Sequence, residues 1–473
     1  MAETADTTHP ARHRADPKAD PSWIVAHGIG AASLLWIALA NGFPLLFADS
    51  GSYLRVGTET FYPLDRPVAY GLLIAPVARY AGLWAIAIAQ ALFASWLIGQ
   101  VLVAVTARRS ATMLVLVPAT LAGLTSLPWF VGQIMPDLFT PLMALTLYLM
   151  LFAPYSGWRA WMMAALLTAQ ITLHLSHIPI AAALIGLSGV ILARECGWRA
   201  TAGRLTPAVA AWLVAVVGLC SVNLLATNSF RPTLQSDKFL VARVLDGKIG
   251  QPVLDRLCAT EHWRLCKARA FVERPALALP GQDYLWATDS PRAALEHGGP
   301  TAFRAEEGTF ARRVLREDPV GTLRLALSGW RDQLVRTRAA DGMIAYPPRM
   351  QVAKQIHDHF AHDGAAFDRS RQQRGTLQRL AVAPDRAIGL LVVLLTPFIV
   401  WSAIRRGDRR MAALAIVIPG TIIANAAVCG ILSGPADRYQ SRVLWLLPLL
   451  GLIALARWTS LPKRQDYRVS IAA

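Results

Sequence analysis

Three short polar segments interrupt long apolar stretches of this chain, and they hold the side chains best suited to chemistry. The first, FADSGSYLRVGTETFYPLDRPVAY, places Asp49 directly after an apolar run. Ser50, Ser52 and Tyr53 follow, then Asp65, Arg66 and Pro67. The second, QIMPDLF, carries Asp137, and a late segment, GPADRYQSRVLWLLP, adds Arg438, Tyr439 and Arg442. A charge at membrane depth costs on the order of 2.5–3.5 kcal/mol unless it is solvated or paired, so such residues are functional candidates by default. A carboxylate there can take a proton from a hydroxyl. An arginine fork can hold two oxygens of a phosphate. The plainer reading of Asp49 is a solvated loop residue, and that of Asp137 is the N-cap of the helix that follows.

Two histidine groups invite a metal reading. His174 and His177 flank the turn LHLSHIP, three residues apart, as metal ligands or as polar residues lining a cavity. The string QIHDHFAHDG holds His357, Asp358, His359, His362 and Asp363. It lacks the glutamate between paired histidines that metalloproteases carry. Its His-x-His spacing suits a strand better than a helix, and a solvated loop is the simpler expectation. No phosphate-binding loop, nucleophile elbow or dinucleotide fingerprint stands in a fitting context.

The elements that must position these residues are apolar helices. The chain has 473 residues, 54% hydrophobic and 16% charged, with a mean hydropathy of +0.39. A soluble protein carries about a quarter of its residues charged. Here charge is nearly absent from stretches of about twenty residues and dense between Arg231 and Arg386. The pattern predicts about ten transmembrane helices. They fall near 23–47, 83–106, 111–130, 138–152, 160–175, 180–192, 206–227, 387–404, 411–432 and 443–456. The segment 68–82, broken by Pro76 and Arg79, reads as a re-entrant or interfacial helix.

The expected organisation is then a polar cytoplasmic tail (1–22), a seven-helix module with outer-face loops (23–227) and a mainly helical extracytoplasmic insert (228–386). Three C-terminal helices (387–459) and a second cytoplasmic tail (460–473) complete it. The first apolar run is too long for the core of a cleaved signal and reads as an anchor. Basic clusters at the N-terminus, 108–109, 159, 194–204, 405–410 and the C-terminus all fall on one side if there are ten helices. That places both termini in the cytoplasm. The net charge of +17 and pI near 10.3 come from these clusters together with the insert, which is also basic. With no nucleic-acid-binding pattern present, they do not indicate a nucleic-acid partner.

Within the insert, Cys258 and Cys266 lie eight residues apart, and an oxidising compartment favours a disulfide between them over two free thiols. Val320, Leu323, Leu327, Trp330 and Leu334 recur at helical spacing, with Arg324, Arg331 and Arg338 as a second stripe. This predicts an amphipathic helix, packed on the insert or lying at the membrane boundary among lipid head groups.

Taken together, Asp49, the Arg66-Pro67 segment with Tyr70, Asp137 at the start of the fourth helix, and Arg438-Tyr439 before the last helix resemble the GT-C superfamily of membrane glycosyltransferases. The resemblance covers the first four helices best. Many members carry their soluble domain after all the helices, whereas three helices follow it here. The resemblance implies sugar transfer, with inversion, from a polyprenyl-phosphate-linked donor on the outer face of a bacterial inner membrane. The acceptor would be an envelope glycan, lipid or protein. Asp49 would be the base, with Asp137 positioning the acceptor or a divalent cation such as Mg or Mn. Tyr53, Asp65, Arg66, His174, His177, Arg438, Tyr439 and Arg442 would line the site. Family members often place a lysine in the loop that here holds His174 and His177, and a histidine replaces it only when protonated. Two alternatives share the topology. One is a polysaccharide polymerase of the O-antigen type, which takes a lipid pyrophosphate donor. The other is a lipid-linked sugar flippase or transporter without transfer chemistry.

Overall fold

The computed structural model describes residues 21–459, apart from 154, 156, 278, 288, 298–299 and 381–384. The two predicted tails thus lie outside the described residues, except that Pro21 and Ser22 of the first open the helix Pro21–Leu34. Among those described, all regular structure is helical, and the only strand-like pairing is an isolated parallel bridge between Leu45 and Gln133. Five helices are long and apolar enough to cross a membrane: Ala69–Thr106, His177–Thr227, Ala387–Arg405, Arg409–Leu432 and Asp437–Thr459. Ala111–Leu124 and Pro136–Phe152 are shorter apolar helices. Large apolar side chains stand exposed on their outer faces, among them Leu213, Val214, Leu225, Leu391, Leu394 and Phe398. Continuous apolar surface of this kind is stable against lipid rather than water. This is the make-up of an α-helical membrane protein.

Glycines break the two longest helices. Gly82 has φ of 80° and Gly197 has φ of 75°, values that a side chain disfavours. Each interrupts the hydrogen-bonded ladder and kinks the helix. The first kink falls where the short segment 68–82 was expected to end. The second falls inside the basic stretch 194–204, where a loop was expected.

Three apolar cores organise the chain. The largest joins residues near the N-terminus, such as Leu34, Ile98 and Leu142, to Ile418, Leu447 and Leu450 near the C-terminus. It also takes in Tyr346, Val352, Ile356, Phe360 and Phe367. A second core lies between Phe139–Phe152, Trp158–Thr172 and the helix starting at His177. The third is built from residues between Val241 and Val314 alone. The segment 228–386 therefore contributes to two cores: its first part packs on itself, and its last part packs under the first polar loop.

The helix Pro319–Val335 begins as its sequence dictates, with Asp318 accepting a hydrogen bond from the backbone N–H of Gly321 (2.7 Å). Its buried face is not the apolar stripe. Gly329 and Gln333 are buried against Arg409–Leu432 and the loop that follows it. A Cβ on Gly329 would come within 2.4 Å of the Gly430 carbonyl oxygen, so both backbones need glycine there. Gln333 then donates to the Ala436 carbonyl and accepts from its N–H, both at 2.9 Å. Val320, Leu323 and Leu327 are left facing outward.

Cys258 and Cys266 are joined by a disulfide, with Cα atoms 5.5 Å apart. The loop is short, so its loss raises the entropy of the unfolded chain by only about 2–3 kcal/mol. Replacing both cysteines by serine is expected to lower the stability of the 241–314 core by that amount. Intact-mass measurement should show alkylation at these positions only after reduction; alkylation without reductant would remove the bridge.

Candidate functional site

The first polar loop is held by contacts from distant parts of the chain. Gly42, with φ of 79°, ends the helix Trp36–Asn41, and the chain then runs extended. Leu45 receives a hydrogen bond from Ile134 and donates one to Gly132, the ladder around the Leu45–Gln133 bridge. On its other side Gln372 accepts from the Leu46 N–H (3.1 Å) and donates to the Leu46 carbonyl (2.7 Å). Ser50 donates to the Ile134 carbonyl (2.8 Å) and accepts from the Phe47 N–H (2.9 Å). Asp49 sits between these two anchors, just ahead of the helix Ser50–Thr58.

Around Asp49 the structure gathers the charged residues of all three polar segments. Arg66 Nη1 lies 2.8 Å from Asp49 Oδ1, and Arg438 Nη2 lies 3.7 Å from Asp49 Oδ2. The first contact is close but off the hydrogen-bond direction, since Arg66 Nη1 has no hydrogen-bond partner; it is an ion pair and no more. The other edge of Arg66 is satisfied, its Nε and Nη2 donating to the two oxygens of Asp65 at 3.0 and 3.2 Å. Its guanidinium lies over the ring of Tyr53, which in turn meets Tyr70 edge-on. Arg438 stacks on Phe47, 4.0 Å from the ring centroid, and on Tyr439, and donates to the Tyr439 hydroxyl (3.3 Å).

One helical turn from Arg438, Arg442 is fully buried. Its Nη1 donates to Asp137 (2.9 Å), and its Nη2 to Asn425 Oδ1 (2.9 Å) and Ser176 Oγ (3.2 Å). Asp137 therefore does not cap a helix. It stands in a short turn, Pro136–Leu138, with no capping hydrogen bond, and its carboxylate is spent on Arg442.

The histidines of both groups have partners of their own. Both ring nitrogens of His177 are engaged, with the Gln170 carbonyl (2.6 Å) and Thr140 Oγ1 (2.9 Å). His174 Nδ1 pairs with Ser176. Burial, followed by the nearby Arg442, pushes His174 down to about 3, so it is neutral at ordinary pH. The string 357–363 spans the end of the helix Gln351–His359 and the start of the helix Ala361–Arg369, broken at Phe360, rather than a strand; Val352, Ala353 and Ile356 bury at helical spacing. Its histidines disperse to separate carboxylates: His357 to Asp368, His359 to Glu59 and His362 to Asp363. Among the described residues no three His, Cys, Asp or Glu side chains converge to hold a metal ion.

Two members of the site carried weak signals or none in sequence. Lys238, from the helix Ser236–Asp246, is buried and donates to Asp65 (3.1 Å), tying the insert to the first polar loop. Nothing distinguishes it locally from other surface lysines. Asn425 is a lone amide within an apolar helix, and such a polar group in a membrane span points to a buried partner.

A cavity of about 250 Å³ opens beside Arg66. Pro63, Leu64, Leu72, Leu175, Leu219 and Val222 make its walls mostly apolar. Leu72 and Val222 are exposed, so this cavity runs from the outer apolar surface to the guanidinium.

The chain matches no protein-family model, no curated protein and no solved structure.

Two tests follow from the pairing. Arg442→Ala leaves Asp137 buried without its cation, which typically costs about 3–5 kcal/mol. Thermal unfolding in detergent should show that loss, and Asp137→Asn combined with Arg442→Gln should recover part of it; no recovery would uncouple the two residues. Asp65 has a different signature. Burial alone would raise its pKa, but Arg66 and Lys238 hold the carboxyl below the usual range. A depressed folded-state pKa contributes stability that is present above the ordinary value of about 3.9 and is lost as pH falls through the folded one. The stability gap between wild type and Asp65→Asn should stay constant from about pH 8 to 5 and shrink below about pH 4. A gap that closes near neutral pH would contradict the pairing.

Proposed function

We propose that this chain is a GT-C-like glycosyltransferase of the bacterial inner membrane. It moves a sugar from a polyprenyl-phosphate donor to an acceptor on the outer face. The observation that carries this reading is the meeting of one carboxylate, Asp49, with two guanidiniums, Arg66 and Arg438, of which Arg66 also lines an apolar cavity. A lipid phosphate needs that combination: an apolar path for the chain, cations for the leaving anion and a base for the incoming hydroxyl.

The proposed topology has ten passes, with the glycine kinks dividing each of the two longest helices into separate segments. The passes are 21–41, 83–106, 111–131, 136–152, 158–172, 177–196, 198–227, 385–405, 409–432 and 437–459. Arg108, Arg109, Arg159, Arg199, Arg405 and Arg406 then fall on the cytoplasmic side, with both termini. Asp49, Asp65, Asp137, His174 and Arg438 fall on the outer side, below the insert.

In this reaction Asp49 takes the proton of the acceptor hydroxyl. The acceptor oxygen bonds to the anomeric carbon on the face opposite the phosphate. The bond from that carbon to the phosphate oxygen breaks, and its electron pair leaves with the lipid phosphate, held by Arg66 and Arg438. One displacement inverts the anomeric centre without an enzyme nucleophile. The acceptor is an envelope glycan, lipid or protein. No step requires a metal ion.

A flippase would carry charges along a path through the helices. The charges here gather at one end, which favours transfer at a single face. Transfer from a labelled polyprenyl-phosphate monosaccharide tests the reading, with a lipid pyrophosphate oligosaccharide beside it as the polymerase donor. Asp49→Asn is expected to reduce transfer by roughly 10²–10⁴-fold, the usual contribution of a general base. Arg438→Ala should weaken polyprenyl-phosphate binding. An active Asp49→Asn enzyme would remove the base assignment, and preference for the pyrophosphate donor would favour the polymerase.

A further inference from the structure

The two carboxylate oxygens of Asp49 face two different arginines, one each. Two oxygens of a phosphate would present the same arrangement. Yet neither arginine is fully satisfied by Asp49. Arg66 Nη1 and Arg438 Nη1 are both buried and both lack a hydrogen-bond partner. A buried donor without an acceptor is costly, and each such group in a native site calls for an explanation.

The three side chains also differ in how firmly they are held. Arg66 is fixed from behind by the two oxygens of Asp65, which Lys238 pins in turn. Arg438 is sandwiched on Phe47 and Tyr439, and its backbone N–H donates to Asp341 (3.1 Å). Asp49 has no such support. Its side chain makes no capping hydrogen bond to the helix it precedes, and it is 26% exposed, against 12% and 15% for the arginines. The cations are fixed and the carboxylate is the movable partner.

We infer that Asp49 is a placeholder in the anion subsite, and that the donor's phosphate exchanges with it. This rests on the function proposed above. The carboxylate sits between the guanidiniums. An arriving phosphate offers more acceptor oxygens and reaches the two unsatisfied Nη1 donors. The carboxylate swings out toward the acceptor hydroxyl, released from the two guanidiniums it had faced. Once Asp49 has taken the acceptor's proton it is neutral and no longer competes, so the product phosphate stays bound. When that proton passes to solvent, the carboxylate regains its charge and displaces the lipid phosphate. Donor binding thus switches the base on, and deprotonation drives release.

The exchange predicts an effect opposite in sign to that of an ordinary binding residue. Removing the carboxylate's charge removes a competitor. Binding of a polyprenyl phosphate to the full chain in detergent should therefore tighten in Asp49→Asn, by roughly tenfold, the equivalent of about 1.4 kcal/mol. Asp49→Ala should tighten it too, while Asp49→Glu, which keeps the competing charge, should stay near wild type. Equal or weaker binding in both neutral variants, beside measurable binding in wild type, would overturn the exchange and leave the lipid-phosphate reading standing. No binding in wild type or in any variant would overturn both.

Discussion

A guanidinium fully enclosed by apolar helices is the constraint on which the rest of this site depends. Arg442 cannot give up its charge, so its surroundings must supply acceptors. Four acceptors come from three places in the chain: Asp137, Ser176, and Asn425 with Cys429 one turn on. Satisfying one side chain therefore docks the last two long helices against the turn before Phe139–Phe152 and the turn before His177. Hydrophobic packing holds these helices together but is tolerant of small shifts. A hydrogen-bonded ion pair is not, which fixes the register of one end of the bundle.

That fixed end sets the geometry of the reactive groups. Arg438 and Arg442 are four residues apart in Asp437–Leu444, so they share a helix face. Arg442 turns inward to structural partners, while Arg438 is carried toward Asp49. From the opposite side Arg66 is steadied by Asp65 and Lys238. Each cation near Asp49 thus has a second anchor that Asp49 does not supply. Lys238 also explains why a chain segment with its own core, between residues 241 and 314, is tied into the site rather than simply tethered above it.

Much of this was legible in the sequence, because charges beside apolar runs stand out wherever they occur. Asp49, Arg66, Asp137, Arg438 and Arg442 were found that way, although nothing local could say which would pair. The choice between capping and pairing for Asp137 was decided by Arg442, 305 positions away. Lys238 was invisible, since its burial depends on a docking surface no local pattern describes. The helix Pro319–Val335 was read correctly as amphipathic, but its bundle-facing side is the small and polar one. The close approach of Gly329 to Gly430 binds it there, and packing through glycine leaves no hydrophobic signature. The histidine string failed differently. Its His-x-His spacing was weighed above the 3–4 spacing of Val352, Ile356 and Phe360, which is what folded it.

In the proposed transfer, the division between fixed cations and a movable carboxylate resolves a conflict built into this kind of chemistry. A leaving phosphate needs positive charge close by, and positive charge close by lowers the basicity of any carboxylate that shares it. Moving the base far from the cations would also move it from the anomeric carbon, which lies within a bond or two of the phosphate. Two arginines with independent anchors and one carboxylate with none allow the same few ångströms to serve both needs in sequence. On the proposed exchange, the buried charges stay paired until the phosphate arrives, and its arrival frees the base when an acceptor can use it. The unsatisfied Nη1 atoms of Arg66 and Arg438 are then the cost of keeping the resting pair weak enough to exchange.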